Sequence, residues 1–101
     1  MQIGNVEIKE KSIVIDGIIE RPVTKIEHRI LSMLAEVPDT DVAKVTILTA
    51  LYGTPTRCTS RSLDVHICHI RTKIAGSNLT ILTTGRFGFR LTVNTPEYAN
   101  I

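Results

Sequence analysis

The run Arg61-Ser62-Leu63-Asp64-Val65-His66-Ile67-Cys68-His69-Ile70-Arg71-Thr72-Lys73-Ile74 carries the strongest pattern in the chain. Leu63, Ile67, Ile70 and Ile74 recur at spacings of four, three and four. At about 100° per residue they fall within roughly 60° of one another, a narrow stripe suited to the core side of a helix. Arg61, Val65, Cys68 and Thr72 lie on the opposite face. His69 flanks them on one side, Arg71 and Asp64 on the other, and His66 and Lys73 sit toward the flank. Ser60 is an acceptable cap and Gly76 a suitable stop, so the spacing predicts a helix from about Ser60 to Ala75.

Upstream, Thr24-Lys25-Ile26-Glu27 is a capping box, in which the Thr24 hydroxyl accepts from the Glu27 amide and the Glu27 carboxylate accepts from the Thr24 amide. Ile26, Ile30, Leu31, Leu34 and Ala35 follow at helical spacing and predict a helix over about Lys25–Glu36, stopped by Val37-Pro38-Asp39. A further helix is expected over about Ala43–Tyr52. Asp41 is its candidate cap, Val45, Leu48, Leu51 and Tyr52 its inward residues, and Gly53 its stop. Gly53-Thr54-Pro55-Thr56 reads as a turn.

The flanks read as strands. Val6–Glu10 alternates apolar and charged residues, Ser12–Gly17 is β-branched and closes on Asp16-Gly17, and Ile18–Arg21 begins a strand that Pro22 ends or edges. Near the C-terminus, Leu79–Thr84 and Phe89–Val93 are joined by the tight turn Gly85-Arg86-Phe87-Gly88, a β-hairpin with an arginine at its tip. Residues 94–101 are expected to fray. The chain thus reads as one α+β domain over 1–101. N-terminal strands occupy about 6–23, three helices about 24–76 and a hairpin about 79–93.

Composition narrows the function. With 101 residues, 43% apolar and 22% charged, the chain builds one modest core, and it is too short for a doubly wound cofactor-binding fold. No apolar run approaches a membrane span, and Met1-Gln2-Ile3-Gly4 does not open a secretory signal. Two cysteines make no disulfide framework, so a reducing, cytoplasmic setting is expected. The net charge of +2 hides a split. Residues 57–90 carry six basic side chains (Arg57, Arg61, Arg71, Lys73, Arg86 and Arg90) against one acid, Asp64. Such a one-sided basic stretch is the footprint of a polyanion binder.

Other chemistries fit less well. His66, Cys68, His69 and Cys58 invite a metal, but on a helix positions 66 and 68 point about 200° apart and cannot converge on one tetrahedral ion. Ser62, Asp64 and His66 resemble a catalytic trio, yet no Gly-x-Ser-x-Gly elbow is present. No enzyme, metal or cofactor is expected. A helix about 10–12 Å wide fits the major groove of B-DNA, and an arginine at a hairpin tip can enter the minor groove.

Residues 61–74 resemble the recognition helix of the winged-helix DNA-binding domain of the OmpR/PhoB class of bacterial response regulators. That helix typically reads Arg-x-apolar-Asp-Val-His-Ile-x-x-Leu-Arg-x-Lys-apolar. The resemblance extends upstream to Leu51-Tyr52-Gly53 and downstream to Phe87-Gly88-Phe89-Arg90-Leu91, covering about Val23–Val93. It implies a winged helix-turn-helix transcription regulator that binds duplex DNA, with the third helix in the major groove and the hairpin as a wing at the minor groove. It also implies tandem half-sites about one helical turn apart, with two copies side by side on DNA. By residue, Arg61, His66 and Arg71 match phosphate or groove-edge positions, and Asp64, Val65 and His69 match base-facing ones. The DNA-facing candidates are therefore Arg61, Ser62, Asp64, Val65, His66, Cys68, His69, Arg71, Thr72, Lys73 and Arg86.

The chain departs from the pattern in three ways. Cys68 and His69 stand where relatives often have arginine or another long polar residue. Arg86 follows Gly85, whereas the family more often has arginine before glycine. The length also leaves no room for a receiver domain, so control is expected from protein level, self-association or a partner, as in a small bacterial or phage regulator associated with the nucleoid. The alternative is an interaction module of the same fold that docks on RNA polymerase, through the 53–60 loop, or on another regulator.

Overall fold

The capping box forms as the sequence dictates. Glu27 donates its amide to the Thr24 hydroxyl (3.1 Å), and Thr24 donates its amide to the Glu27 carboxylate (2.9 Å). It opens α1, Lys25–Glu36. The computed structural model describes residues 1–53, 57–85 and 88–94, with 57–60 described by backbone alone. In these residues α1 is preceded by four strands: β1 (Gln2–Ile3), β2 (Val6–Ile8), β3 (Ser12–Ile15) and β4 (Ile19–Pro22). After α1 come β5 (Val42–Ala43), α2 (Lys44–Tyr52), α3 (Arg57–Lys73), β6 (Leu79–Thr84) and β7 (Gly88–Val93). The strands make two antiparallel sheets, ordered β1-β2-β3-β4 and β5-β7-β6.

The N-terminal sheet buries alternate side chains. Val6, Ile8, Ile13 and Ile15 are at most 4% exposed, while Glu7 between them faces water, the one-sided pattern of an antiparallel sheet. The Asp16-Gly17 signal is realised. Both residues have positive φ (56° and 70°), and the Ile18 amide donates to the Ile15 carbonyl (3.0 Å), the geometry a tight hairpin requires. Ile18 is left outside the ladder at 83% exposed. Pro22 ends β4, the edge strand, where no ladder bond needs its missing amide.

The second helix differs from expectation in phase and start. It buries Ile47 and Leu48 and half-buries Leu51, whereas Val45 and Tyr52 are 53% and 40% exposed. Val42 and Ala43 pair with Phe89 and Gly88 of β7, so the helix begins only at Lys44, beyond reach of Asp41. Asp41 instead accepts from Arg90 Nε (2.7 Å). The third helix starts at Arg57, one turn before Ser60, and its regular turns end at Lys73. Its predicted stripe is the core side, for Leu63, Ile67, Ile70 and Ile74 are at most 3% exposed. They meet Ile30, Leu31 and Leu34 of α1 and the sheet side chains in one cluster.

The hairpin pairs Leu79–Thr84 with Gly88–Val93 in register, and Phe89 is its buried aromatic at 2% exposed. Gly88 is there because of crowding. A Cβ at that position would lie 3.0 Å from the Val42 carbonyl oxygen and 2.9 Å from Thr84 Oγ1. Arg86 and Phe87 at the tip, residues 54–56 of the expected polymerase-facing loop, and the tail from 95 onward lie outside the described residues.

Candidate nucleic-acid interface

With its stripe buried, α3 turns a continuous ridge outward. Arg61, Ser62, Asp64, Val65, Cys68, His69, Arg71 and Thr72 are exposed, and His66 and Lys73 are half-buried. Val65, at 49% exposed, is the apolar point of the ridge. An open pocket bordered by Arg61, Ser62, Val65 and His66 runs beside it.

Several of these side chains hold the helix in place. Arg71 reaches across to the hairpin, donating from Nε to the Ile81 carbonyl (3.1 Å) and from Nη2 to the Thr83 hydroxyl (2.9 Å). Asp64 is held by Lys44 at 2.9 Å, and the Lys44 ammonium sits 5.5 Å from the centroid of the Phe89 ring. The Thr72 hydroxyl donates to the Cys68 carbonyl one turn back (3.2 Å). Lys73 donates to Glu27 Oε1, whose carboxylate is 2% exposed. The second oxygen of Glu27 lies 3.6 Å from His69 Nδ1. Burial alone would raise the Glu27 carboxyl above its ordinary range. Hydrogen bonds from Lys73 and the Thr24 amide, with the charges of Lys73 and His69, outweigh burial and hold it lower.

The C-terminal end of α3 is tied to the N-terminal sheet. Arg21 Nη1 lies 2.6 and 2.8 Å from the carbonyl oxygens of Lys73 and Ala75, placing a cation where the helix dipole is negative and carbonyls lack partners. Sequence reasoning missed Arg21 and Lys44 in these roles, because their partners lie 52 and 20 residues away. Sequence reasoning placed Glu27 only in the capping box and missed it as the counter-charge under α3, although its place in the apolar stripe signals burial without naming the cation. Glu27 shares a face with Ile30, Leu31 and Leu34, so a carboxylate in that stripe must be buried and must find a cation.

The trio of Ser62, Asp64 and His66 is not assembled as a catalytic site would need. Asp64 is engaged by Lys44, so it does not orient His66 beside Ser62. Among the described residues no three His, Cys, Asp or Glu side chains gather as a metal site would need, and no helix is long and apolar enough to cross a membrane.

Residues 20–91 match the family model described as transcriptional regulatory protein, C terminal. The chain belongs to this family, the OmpR/PhoB-type effector domains. Its members are DNA-binding transcription regulators, not enzymes.

The fold agrees with solved members. The chain is similar to the C-terminal domain of the nisin resistance regulator NsrR, a lantibiotic response regulator, with a TM-score of 0.76 and 22% identity over 93% of this chain and 98% of that one. It is similar to the Klebsiella pneumoniae RstA DNA-binding domain, solved in complex with the RstA box (0.75; 21% identity; 91% and 95% covered). It is also similar to the DNA-binding domain of the response regulator AdeR, solved in complex with an intercistronic region (0.72; 20% identity; 95% and 100% covered). No curated protein matches the sequence. In this winged-helix fold α3 is the third helix and the β6–β7 hairpin the C-terminal wing.

Proposed function

We propose that this effector domain is a sequence-specific duplex-DNA-binding transcription regulator that lays the outward ridge of α3 in the major groove and brings the wing to the minor groove. The observation that carries the reading is the two-sidedness of α3. Its stripe is at most 3% exposed while Arg61, Asp64, Val65, Cys68 and His69 stand outward along one side. The side chains assigned to DNA are Arg61, Ser62, Asp64, Val65, His66, Cys68, His69, Arg71, Thr72 and Lys73, with Arg86 at the wing. Within this set, Arg61 is the phosphate contact and Val65 the apolar contact for a thymine methyl. Arg71 and Lys73, bonded to the hairpin and to Glu27, contribute field and shape more than reach. The RstA and AdeR domains, solved with a DNA box and an intercistronic region, support the reading by fold. Tandem half-sites one turn apart, occupied by two copies side by side, follow from the same docking.

The test is selection of bound duplexes from a random pool at physiological salt, followed by titration across salt. A recovered repeat is expected, with log affinity falling linearly in log salt at about 0.9 per phosphate contacted. Arg61→Ala should weaken binding to every duplex and reduce that slope by about one. Val65→Asp should abolish binding through charge repulsion at the groove floor. Its stability should stay within about 0.5 kcal/mol of the parent, because the side chain is half exposed. Salt-insensitive or undetectable duplex binding would instead favour a protein partner.

A further inference from the structure

Glu27 is the one buried charged side chain among the described residues, and it sits under the DNA-facing helix. Its Oε1 accepts from the Thr24 amide and from Lys73. Its Oε2 faces His69 Nδ1 at 3.6 Å, while the His69 side chain is 59% exposed on the outer side of α3. Glu27 and Lys73 cancel, so the trio is neutral when the imidazole is neutral and carries one positive charge when it is protonated. The carboxylate favours Nδ1 as the protonated nitrogen. Nε2, across the ring, is then left to the solvent side, an acceptor when the ring is neutral and a cationic donor when it is charged.

We propose that His69 makes duplex binding proton-dependent: on taking up a proton it spans the buried Glu27 carboxylate and the DNA, adding a cationic donor to the outward face of α3 without unpairing Lys73. The inference rests on α3 being the DNA-facing helix. The charged and titratable groups around His69 are few. Glu27 comes from α1, and Lys73 and His66 lie one turn away on α3. Of the groups on packed neighbours, Lys44 of α2 is held by Asp64, Arg21 of β4 lies on the α3 carbonyls, and Arg90 of β7 is held by Asp41. A positive charge held between a buried carboxylate and the negative potential of the DNA groove is stabilised by both, so DNA and proton must favour each other's binding. Imidazole is the side chain that exchanges its proton between about pH 5 and pH 8.

The experiment is fluorescence anisotropy of a labelled mixed-sequence duplex at fixed ionic strength, for the whole chain and for His69→Gln, His69→Arg and His66→Gln. Circular dichroism checks that each variant is folded. The parent should bind about three- to tenfold more tightly near pH 6 than near pH 8. His69→Gln should lose most of that rise, His69→Arg should bind at the acid-side affinity across the range, and His66→Gln should keep the rise. A flat parent profile, a rise retained by His69→Gln, or a rise that disappears with His66 overturns the inference and leaves the DNA reading standing. Absence of duplex binding by the parent at every pH overturns the DNA reading and this inference with it.

Discussion

Glu27 serves two elements at once. It closes the N-terminus of α1 by accepting the Thr24 amide, and it neutralises Lys73 of α3 from beneath. A buried carboxylate is costly unless paired and hydrogen-bonded, and this one is both. Glu27→Gln keeps the size and an acceptor for Thr24 but leaves Lys73 half-buried without its counter-charge. We expect a loss of about 2–3 kcal/mol, read by urea unfolding at neutral pH. The pH dependence has a definite sign. The folded carboxyl sits below its ordinary value of 4.5, so its contribution is complete above that value and is lost as pH falls through the lower folded one. The parent should therefore lose stability on acidification below about pH 4.5, and Glu27→Gln should show a shallower acid limb. Equal limbs in the two proteins would mean that the pair stabilises nothing.

At the scale of elements, what could be read from the sequence tracks how locally each signal is made. The bounds of α1 are fully legible because Thr24 and Glu27 cap it within one turn. The apolar face of α3 is legible because four residues at 4, 3, 4 spacing admit one phase. The phase of α2 is not, because Val45, Ile47, Leu48, Ala50 and Leu51 are apolar nearly all round, and only packing chooses Ile47 over Val45. The two-residue strands β1 and β5 were invisible for the same reason, since each exists only through its partner strand. The outward ridge of the candidate site was legible as a set of residues. The ties of Asp64, Arg71 and Lys73 to Lys44, the hairpin and Glu27 were not, because side-chain reach across elements leaves no periodic trace. Arg21 is the sharpest case, a residue of an edge strand that finishes a helix fifty residues later. Arg21→Ala should cost about 1.5–3 kcal/mol, the range for hydrogen bonds to a charged donor. The loss should fall locally, as faster hydrogen exchange of the amides in the last turn of α3. Unchanged exchange there would show the contact to be idle.

For the molecule as a whole, the question is whether the N-terminal sheet belongs to the folding unit. The family match begins at residue 20, which by itself would cast β1–β3 as an appendage. The packing argues otherwise. Val6, Ile8, Ile13 and Ile15 are at most 4% exposed and share one cluster with Ile30, Leu34, Ile67 and Ile70. Two asparagines clasp the far side, with the Asn5 amide donating to Asn78 Oδ1 (3.1 Å) and the Asn78 amide to Asn5 Oδ1 (3.0 Å). Gly4 makes that approach possible, for a Cβ there would lie 2.2 Å from Asn78 Oδ1. Four buried aliphatic side chains stabilise by roughly 6–12 kcal/mol in transfer terms, comparable with the whole stability of a domain of this size, about 5–15 kcal/mol. Deleting residues 1–18 should therefore abolish the cooperative thermal transition, and the intact chain should unfold in one step by both far-ultraviolet circular dichroism and tyrosine fluorescence. A deletion variant that still melts cooperatively, or a parent that melts in two stages, would detach the sheet from the core. It would then also remove the reason for the Arg21 cap, since a strand that is not anchored cannot hold the end of α3.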